Sequence, residues 1–353
     1  MAKSWDNASY TKRAQVLVQT ANIDANLAHF PALLVLTDTN AIANADIASK
    51  RYQIYDYNGN EMSYDEDTYA EGASYVNAKI WVGGSSTTLY SSPTGDQDKF
   101  WLYYGDYDPG SDQDDPTNVW DSSYKAVHHL GEASSHFLDS TANNHDTTYE
   151  VVEAYGATGI VGKAPEFVAT TDAIAAPSSS DFDWAAQFTI DCWVNLDGNS
   201  GYQVFFYRHE SSGHSLFLLN SKWGFSPFVF GSSDLIYSNA NAATGQWVHL
   251  AGVRESDGTT KLYIDGVLQT DTGFKSGAIS GTANYVLGND KDVDVGMDGH
   301  LDEARSSSTN RSAAWLKFQH ANINEADHEQ TWSAEEDKPA GGIVILRRRR
   351  EAA

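Results

Sequence analysis

Residues 250–265 read LAGVRESDGTTKLYID. Two apolar and β-branched runs flank the pair Asp257–Gly258, and Asp-Gly between such runs marks a β-hairpin, because the pair enters positive φ at little cost. The same grammar recurs along the chain. KRAQVLVQT (12–20), FPALLVLTD (30–38), RYQIYDY, YVNAKIWVGG and KFWLYYG (99–105) are short runs bounded by turn residues. So are KAVHHL, PEFVAT, QFTIDCWVNL, YQVFFYRH, HSLFLLN, FSPFVFG, QWVHLAGVRE, KLYIDGVLQT and ANYVLGN. Runs of this length and spacing specify an all-β protein. One helix is predicted, over 311–323 (RSAAWLKFQHANI), with Asn310 as its N-cap.

The spacing of these runs divides the chain. Residues 1–105 form an N-terminal domain; FPALLVLTD is apolar on both faces, so a small β-sandwich of about seven strands is expected. DYDPGSDQDDPTN (106–118) reads as a linker, with two Pro, one Gly and five Asp. Residues 119–325 carry enough strands for a two-sheet jelly roll, and 326–353 is a separate C-terminal tail. Within FTIDCWVNL, Phe188, Ile190, Cys192 and Val194 share the core face, and Trp193 lies on the other with polar neighbours.

The totals narrow the function. The formal charge is −25, from 48 acids against 23 bases, which disfavours nucleic acid as a main partner. The single cysteine excludes an intrachain disulfide. MAKSWDNASYTKR lacks the apolar stretch of a signal peptide, and the longest apolar run, FPALLVL, is too short to span a membrane.

Several segments then occur in a telling order: WDSSYKAVHHLGE, LDSTANNHD, GKAPEF, FTIDCWVNL, GQWVHLAGV, KLYIDGVL and MDGHLDEARSSSTNRSAAWLKFQH. The series resembles the laminin-G-like, concanavalin A-like jelly roll of the bacterial and phage type. The part before it, with FPALLVLTD, AKIWV and FWLYYGDYDPG, resembles the uncharacterised β-domain that often precedes such jelly rolls. Together they cover about residues 10–325. Ala142–Asn143–Asn144 stands where the family usually has Gly-Asn-Gly, and GKAPEF is followed by VATTD in place of Asp-Gly. The resemblance implies surface recognition, often of glycans, and in many members a structural Ca²⁺. It implies no reaction.

Calcium requires six to eight hard oxygens. LDSTANNHD offers Asp139, Asn143, Asn144 and Asp146, and MDGHLDEAR offers Asp298, Asp302 and Glu303. The implied fold brings these strands together, which makes Asp139, Asn143 and Asp302 the candidate ligands. The competing reading is a turn in which Asp139 bonds its own backbone. NDKDVDVGMDG has Val295 where an EF-hand requires Gly, so it is rejected as one. His128 and His129 are adjacent on a strand and face opposite ways, so they form no zinc site. Glu325, Asp327 and Glu329 have a glucanase-like spacing, but they lack strand alternation and read as a polar segment.

Aromatic rings stack on sugars, and Trp223, Trp193 and Tyr202 are the candidate platforms. IVILRRRR, with Arg347, Arg348, Arg349 and Arg350, is a candidate docking peptide. Three functions compete. The first is a non-enzymatic glycan-recognition module on a virion or similar surface, homo-oligomeric or attached to other assembly proteins. The second is a structural decoration or spacer without ligand. The third is a secreted glycan hydrolase, which needs a carboxylate pair that the sequence does not supply.

Overall fold

In a computed structural model the described residues are 5–36, 52–68, 78–84, 87–107, 114–184, 186–208, 213–227, 235–324 and 326–339. The first unit contains β1 (Lys12–Val18), β2 (Leu27–Ala28), β3 (Ala32–Leu36), β4 (Tyr52–Tyr55), β5 (Glu61–Thr68), β6 (Ala78–Gly83), β7 (Thr88–Leu89) and β8 (Lys99–Tyr104). The second runs through β9 (Tyr124–His128), β10 (Tyr149–Val151), β11 (Ala154–Thr158), β12 (Lys163–Phe167), β13 (Ala173–Ala176), β14 (Phe188–Leu196), β15 (Tyr202–Arg208) and β16 (His214–Leu219). It continues with β17 (Lys222–Ser226), β18 (Ile236–Tyr237), β19 (Trp247–Arg254), β20 (Thr259–Ile264), β21 (Val267–Phe274), β22 (Tyr285–Leu287), β23 (Gly299–Ser307) and helix α1 (Ala313–Asn324). Two short strands follow, β24 (Gln330–Trp332) and β25 (Glu336–Asp337).

The first unit is a sandwich whose layers share a strand. The order is β24-β1-β8-β4-β5-β6-β3. β5 pairs with β4 at its start and with β6 along the rest. Val16, Ile54 and Leu102 from one layer and Leu34, Ile80 and Val82 from the other enter one core. β3 is buried along its whole length, as its two apolar faces predict.

The boundaries need two corrections. Residues 330–337 were expected in a free tail, but β24 and β25 both pair with β1. The end of the expected linker is also bound to the first unit: Asp115 N–H donates to Tyr64 O, and Glu66 N–H to the Asp114 carboxylate. Strand edges explain the first correction. β1 and β3 end the sheet without β24, and unpaired backbone groups there are costly when buried. β24 takes the edge of β1, while Gln330 Oε1 accepts from Val35 N–H and Trp332 Nε1 donates to Val35 O. Asn322, on α1, satisfies both N–H and C=O of Leu33.

The second unit is the expected jelly roll. One sheet has the order β10-β13-β22-β15-β16-β17-β18; the other has β11-β12-β23-β14-β19-β20-β21, with β9 also on β23. Phe188, Ile190, Cys192 and Val194 enter the core between the sheets, as their alternation predicts. Burial raises the Cys192 thiol pKa well above its ordinary value, so it remains protonated. The opposite face of β14 lies under α1. There Gln319 Nε2 donates to Asp191 Oδ1 at 2.6 Å, and Trp193 stacks on His320. From the far side of α1, Trp315 and Phe318 pack on Phe30 of the first unit. Ser312 caps the helix in place of Asn310: its Oγ accepts from Trp315 N–H, while the Asn310 amide donates to Glu255.

Candidate functional site

A cleft of about 950 Å³ lies between the two units. Ser63 and Gly84 line it from the first unit; Ser122, Asn143, Thr309 and Arg311 line it from the second. The wall is braced by Arg311. Its guanidinium lies 4.2 Å from the ring centres of both Tyr124 and Trp315, bonds Asp121 Oδ2 at 2.8 Å and donates to Ser123 Oγ at 2.9 Å. Burial alone would raise the Asp121 pKa, but the adjacent guanidinium outweighs it and holds the carboxyl below its ordinary range. The Asp121–Arg311 pair is therefore ionised and internally neutralised.

The 139–146 loop forms one lip of this cleft through Thr141, Ala142 and Asn143. Asp139 Oδ1 accepts from Val127 N–H and Thr141 N–H; Oδ2 accepts from the Thr141 hydroxyl and His145 N–H. The Asn143 amide donates to Tyr124 O and Lys125 O. Asp302 belongs to another neighbourhood. Its Oδ2 accepts from Val161 N–H, and a Cβ on Gly159 would run into that carboxylate and into Lys163 O. The bonds of Asp139 and Asn143 thus stay within their loop and β9, while that of Asp302 is to Val161, so these bonds do not join the three expected Ca²⁺ ligands. A carboxylate oxygen that already accepts two backbone or hydroxyl donors has little left for a cation. Among the described residues no cluster of three His, Cys, Asp or Glu side chains is placed to hold a metal.

Behind the cleft the units are joined by buried charge. His129 Nδ1 is 2.8 Å from Glu303 Oε1, and Nε2 is 3.0 Å from Asp65 Oδ2. Trp120 Nε1 donates to the same Asp65 oxygen. Arg305 pairs with Glu303 and lies over the rings of Trp81 and Trp120. Burial would lower the His129 pKa, but Glu303 and Asp65 outweigh it and raise it well above its usual value. For Asp65 burial acts upward, and the His129 charge and hydrogen bond reverse it. A bulge creates this arrangement. Asp191 pairs with Arg305 and Trp193 with Asp302, so Glu303 and Ala304 together oppose Cys192. Glu303 takes φ 51°, which sends its carboxylate to His129 while Leu301 and Ala304 both enter the core.

The aromatic candidates divide by burial. Trp223 is 3% exposed and packs on Phe205 between the sheets. Trp193 is fully buried beneath α1. Neither can stack on a sugar. Both sit in strands, where an aromatic ring stabilises a core as readily as it serves a ligand. Tyr202 remains half-buried on the outer face of the β10–β18 sheet, edge-on to Phe217. His128 and His129 do point apart: His128 packs on Tyr285 inside the sandwich. Glu325 and Arg347–Arg350 lie outside the described residues. Asp327 and Glu329 precede β24 in a turn, where the Asp327 carboxylate accepts from Glu329 N–H. The residues missed by sequence reasoning are Asp65, Asp121, Arg305 and Arg311. For Asp65 on β5 and Arg305 on β23 the available signal was charge within a strand, which requires partners when buried; Asp121 and Arg311 lie outside the strands and gave no such signal.

Residues 168–317 match the family described as Laminin_G_3, concanavalin A-like lectin/glucanases superfamily. This stretch is a concanavalin A-like jelly roll. Among solved structures, the binding domain of Paraclostridial Mosquitocidal Protein 1 is similar at 12% identity and TM-score 0.46, covering 56% of this chain and 52% of that one. The protein thus spans about half the length of that chain. Domain 4 of AbnA, a GH43 extracellular arabinanase from Geobacillus stearothermophilus solved with arabinotriose, is similar at 22% identity and TM-score 0.41, covering 55% and 97%. The botulinum neurotoxin serotype D ligand binding domain with N-acetylneuraminic acid gives 13%, 0.42, 56% and 50%. No curated protein sequence matches the chain. Among the described residues no helix is long and apolar enough to cross a membrane.

Proposed function

We propose that the protein is a non-catalytic recognition module that takes a neutral oligosaccharide in the cleft between its two units. The supporting observation is the cleft's chemistry. Its volume lies near the top of the range of ligand pockets. Hydroxyl and amide groups from Ser63, Thr117, Asn118, Ser122, Thr141 and Thr309 line it, its Asp121–Arg311 pair is self-neutralised, and Glu61 and Lys125 add one charge of each sign. A polyhydroxylated ligand exchanges water hydrogen bonds for such groups without requiring a net charge. The family's lectin and glucanase fold is compatible with this reading. Hydrolysis would need one carboxyl held protonated as the acid beside a second carboxylate. Two carboxyl groups line the cleft, Glu61 and Asp121, and Asp121 is biased the opposite way by Arg311.

The finer reading is display on a multimeric surface such as a virion, supported by the basic run at 347–350 in a strongly acidic chain. The recognition role is tested on a panel of neutral and acidic glycans with the wild-type chain and Ser122→Trp, which fills the cleft from an exposed position. Neutral-glycan binding that disappears in Ser122→Trp supports the proposal. Unchanged binding in that variant, or none by the wild type, rejects it.

A further inference from the structure

The strand β10 ends its sheet and, among the described residues, pairs as a strand only with β13. Its other edge carries backbone groups ready for one more strand. Tyr149 and Val151 are 44% and 41% exposed and point to the outer face, beside Ala175 and Ala173. A groove of about 440 Å³ begins there, with Ala173, Ala175 and Val286 as its floor and Tyr149, Lys291 and Val293 on its walls. The wall loop carries Asp290, Asp292 and Asp294, of which Asp292 pairs with Lys291 at 2.6 Å, and Glu153 lies exposed just past β10. The site therefore combines a free strand edge, an apolar floor and an acidic border.

One segment of this chain has the matching chemistry. Residues 343–350 read IVILRRRR, four β-prone apolar residues followed by four Arg. They lie beyond Lys338, whose N–H is bonded to Thr11 O of the first unit. The chain leaves the described structure from that unit, whereas β10 belongs to the sheet facing away from it. We propose that residues 343–350 of one copy add as a strand to the β10 edge of a second copy. Alternate side chains of the added strand, Ile343 and Ile345 or Val344 and Leu346, would then sit over the groove beside Tyr149 and Val151. The Arg side chains would reach the acidic border, which is the attraction that copies of charge −25 otherwise lack. This inference rests on the display reading given above, and it is independent of the oligosaccharide cleft.

The test uses sedimentation of the full chain, of a chain ending at Lys338, and of full-length Val151→Lys and Tyr149→Glu. All elements described here end before residue 339, and both substitutions are at exposed positions. Melting curves confirm that each is folded. A fluorescent peptide of residues 341–353 is titrated onto the Lys338-ended chain, with a shuffled peptide of equal charge as control. Expected are self-association of the full chain, a monomer for the shortened one, and at least a tenfold weaker association in both β10 variants. The peptide should bind and the shuffled peptide should not. Equal association with and without the tail, a full chain that stays monomeric, or equal binding of both peptides overturns the proposal. Glycan binding by the Lys338-ended chain is measured alongside, so failure of docking is distinguishable from failure of the recognition role.

Discussion

Replacing His129 with glutamine removes the side chain that joins Asp65 to Glu303 across the two units. At contacts of 2.8 and 3.0 Å and an effective dielectric near 20, each pairing amounts to ~5 kcal/mol of Coulomb attraction. Several kcal/mol of desolvation per ion oppose it. Loss of one partner leaves buried carboxylates short of counter-charge, which costs ~3–5 kcal/mol. The pH dependence separates this from a packing defect. The folded His129 pKa is raised, so its stabilisation is fully present below ~6.5, the unfolded value, and is lost as pH rises through the folded value. The Gln variant lacks that loss. Its deficit should therefore be greatest at or below pH ~6.5 and shrink by up to ~1.4 kcal/mol per pH unit as the pH rises from there toward the folded value. Urea unfolding of both proteins at pH 7 and pH 9, followed by Trp fluorescence, measures it. A deficit under ~1 kcal/mol at pH 7, below the cost of breaking a buried pair, or an equal deficit at both pH values, would refute the reasoning.

Trp193→Ala should cost ~3–5 kcal/mol, because it opens a cavity under α1, and should leave glycan binding intact; lost binding in a folded variant would return Trp193 to the ligand site. Ser312→Ala should cost ~1 kcal/mol and Asn310→Ala should not act through helix capping, as read by denaturant midpoints. A chain ending at Lys338 should melt like the full chain, whereas one ending at Asn324 loses β24 and β25 and should melt at clearly lower temperature; calorimetry decides. Melting in EDTA and in excess Ca²⁺ at matched ionic strength should coincide, since Asp139 is committed to its own loop; a higher melting temperature with Ca²⁺ would restore the cation site.

Much of the fold was legible because strand formation and turn chemistry are local. Gly59 and Gly258 adopt the positive φ that their hairpins require, 82° and 95°. The inward set Phe188, Ile190, Cys192 and Val194 follows from the two-residue period alone. The order of segments was enough to indicate a concanavalin A-like jelly roll, and the matched family covers most of it. The site was less legible. Asp139 reads as a candidate cation ligand in the sequence, because oxygen-rich turns and cation loops use the same amino acids, and its four donors are visible only in the structure.

The sequence by itself determined strand, turn and helix positions, the inward faces, the acidic surface and the single inert thiol, since each depends on neighbours a few residues away. The tertiary structure decided which edge each strand would meet. Trp332 closes on Val35 across 297 positions, and no local pattern encodes that choice; it follows from the cost of leaving β1 and β3 unpaired. It also decided which ring was buried and which charge was paired. Trp193 reads as a half-exposed aromatic until α1 covers it, and Glu303 reads as an ordinary strand acid until one extra residue on β23 turns it toward His129.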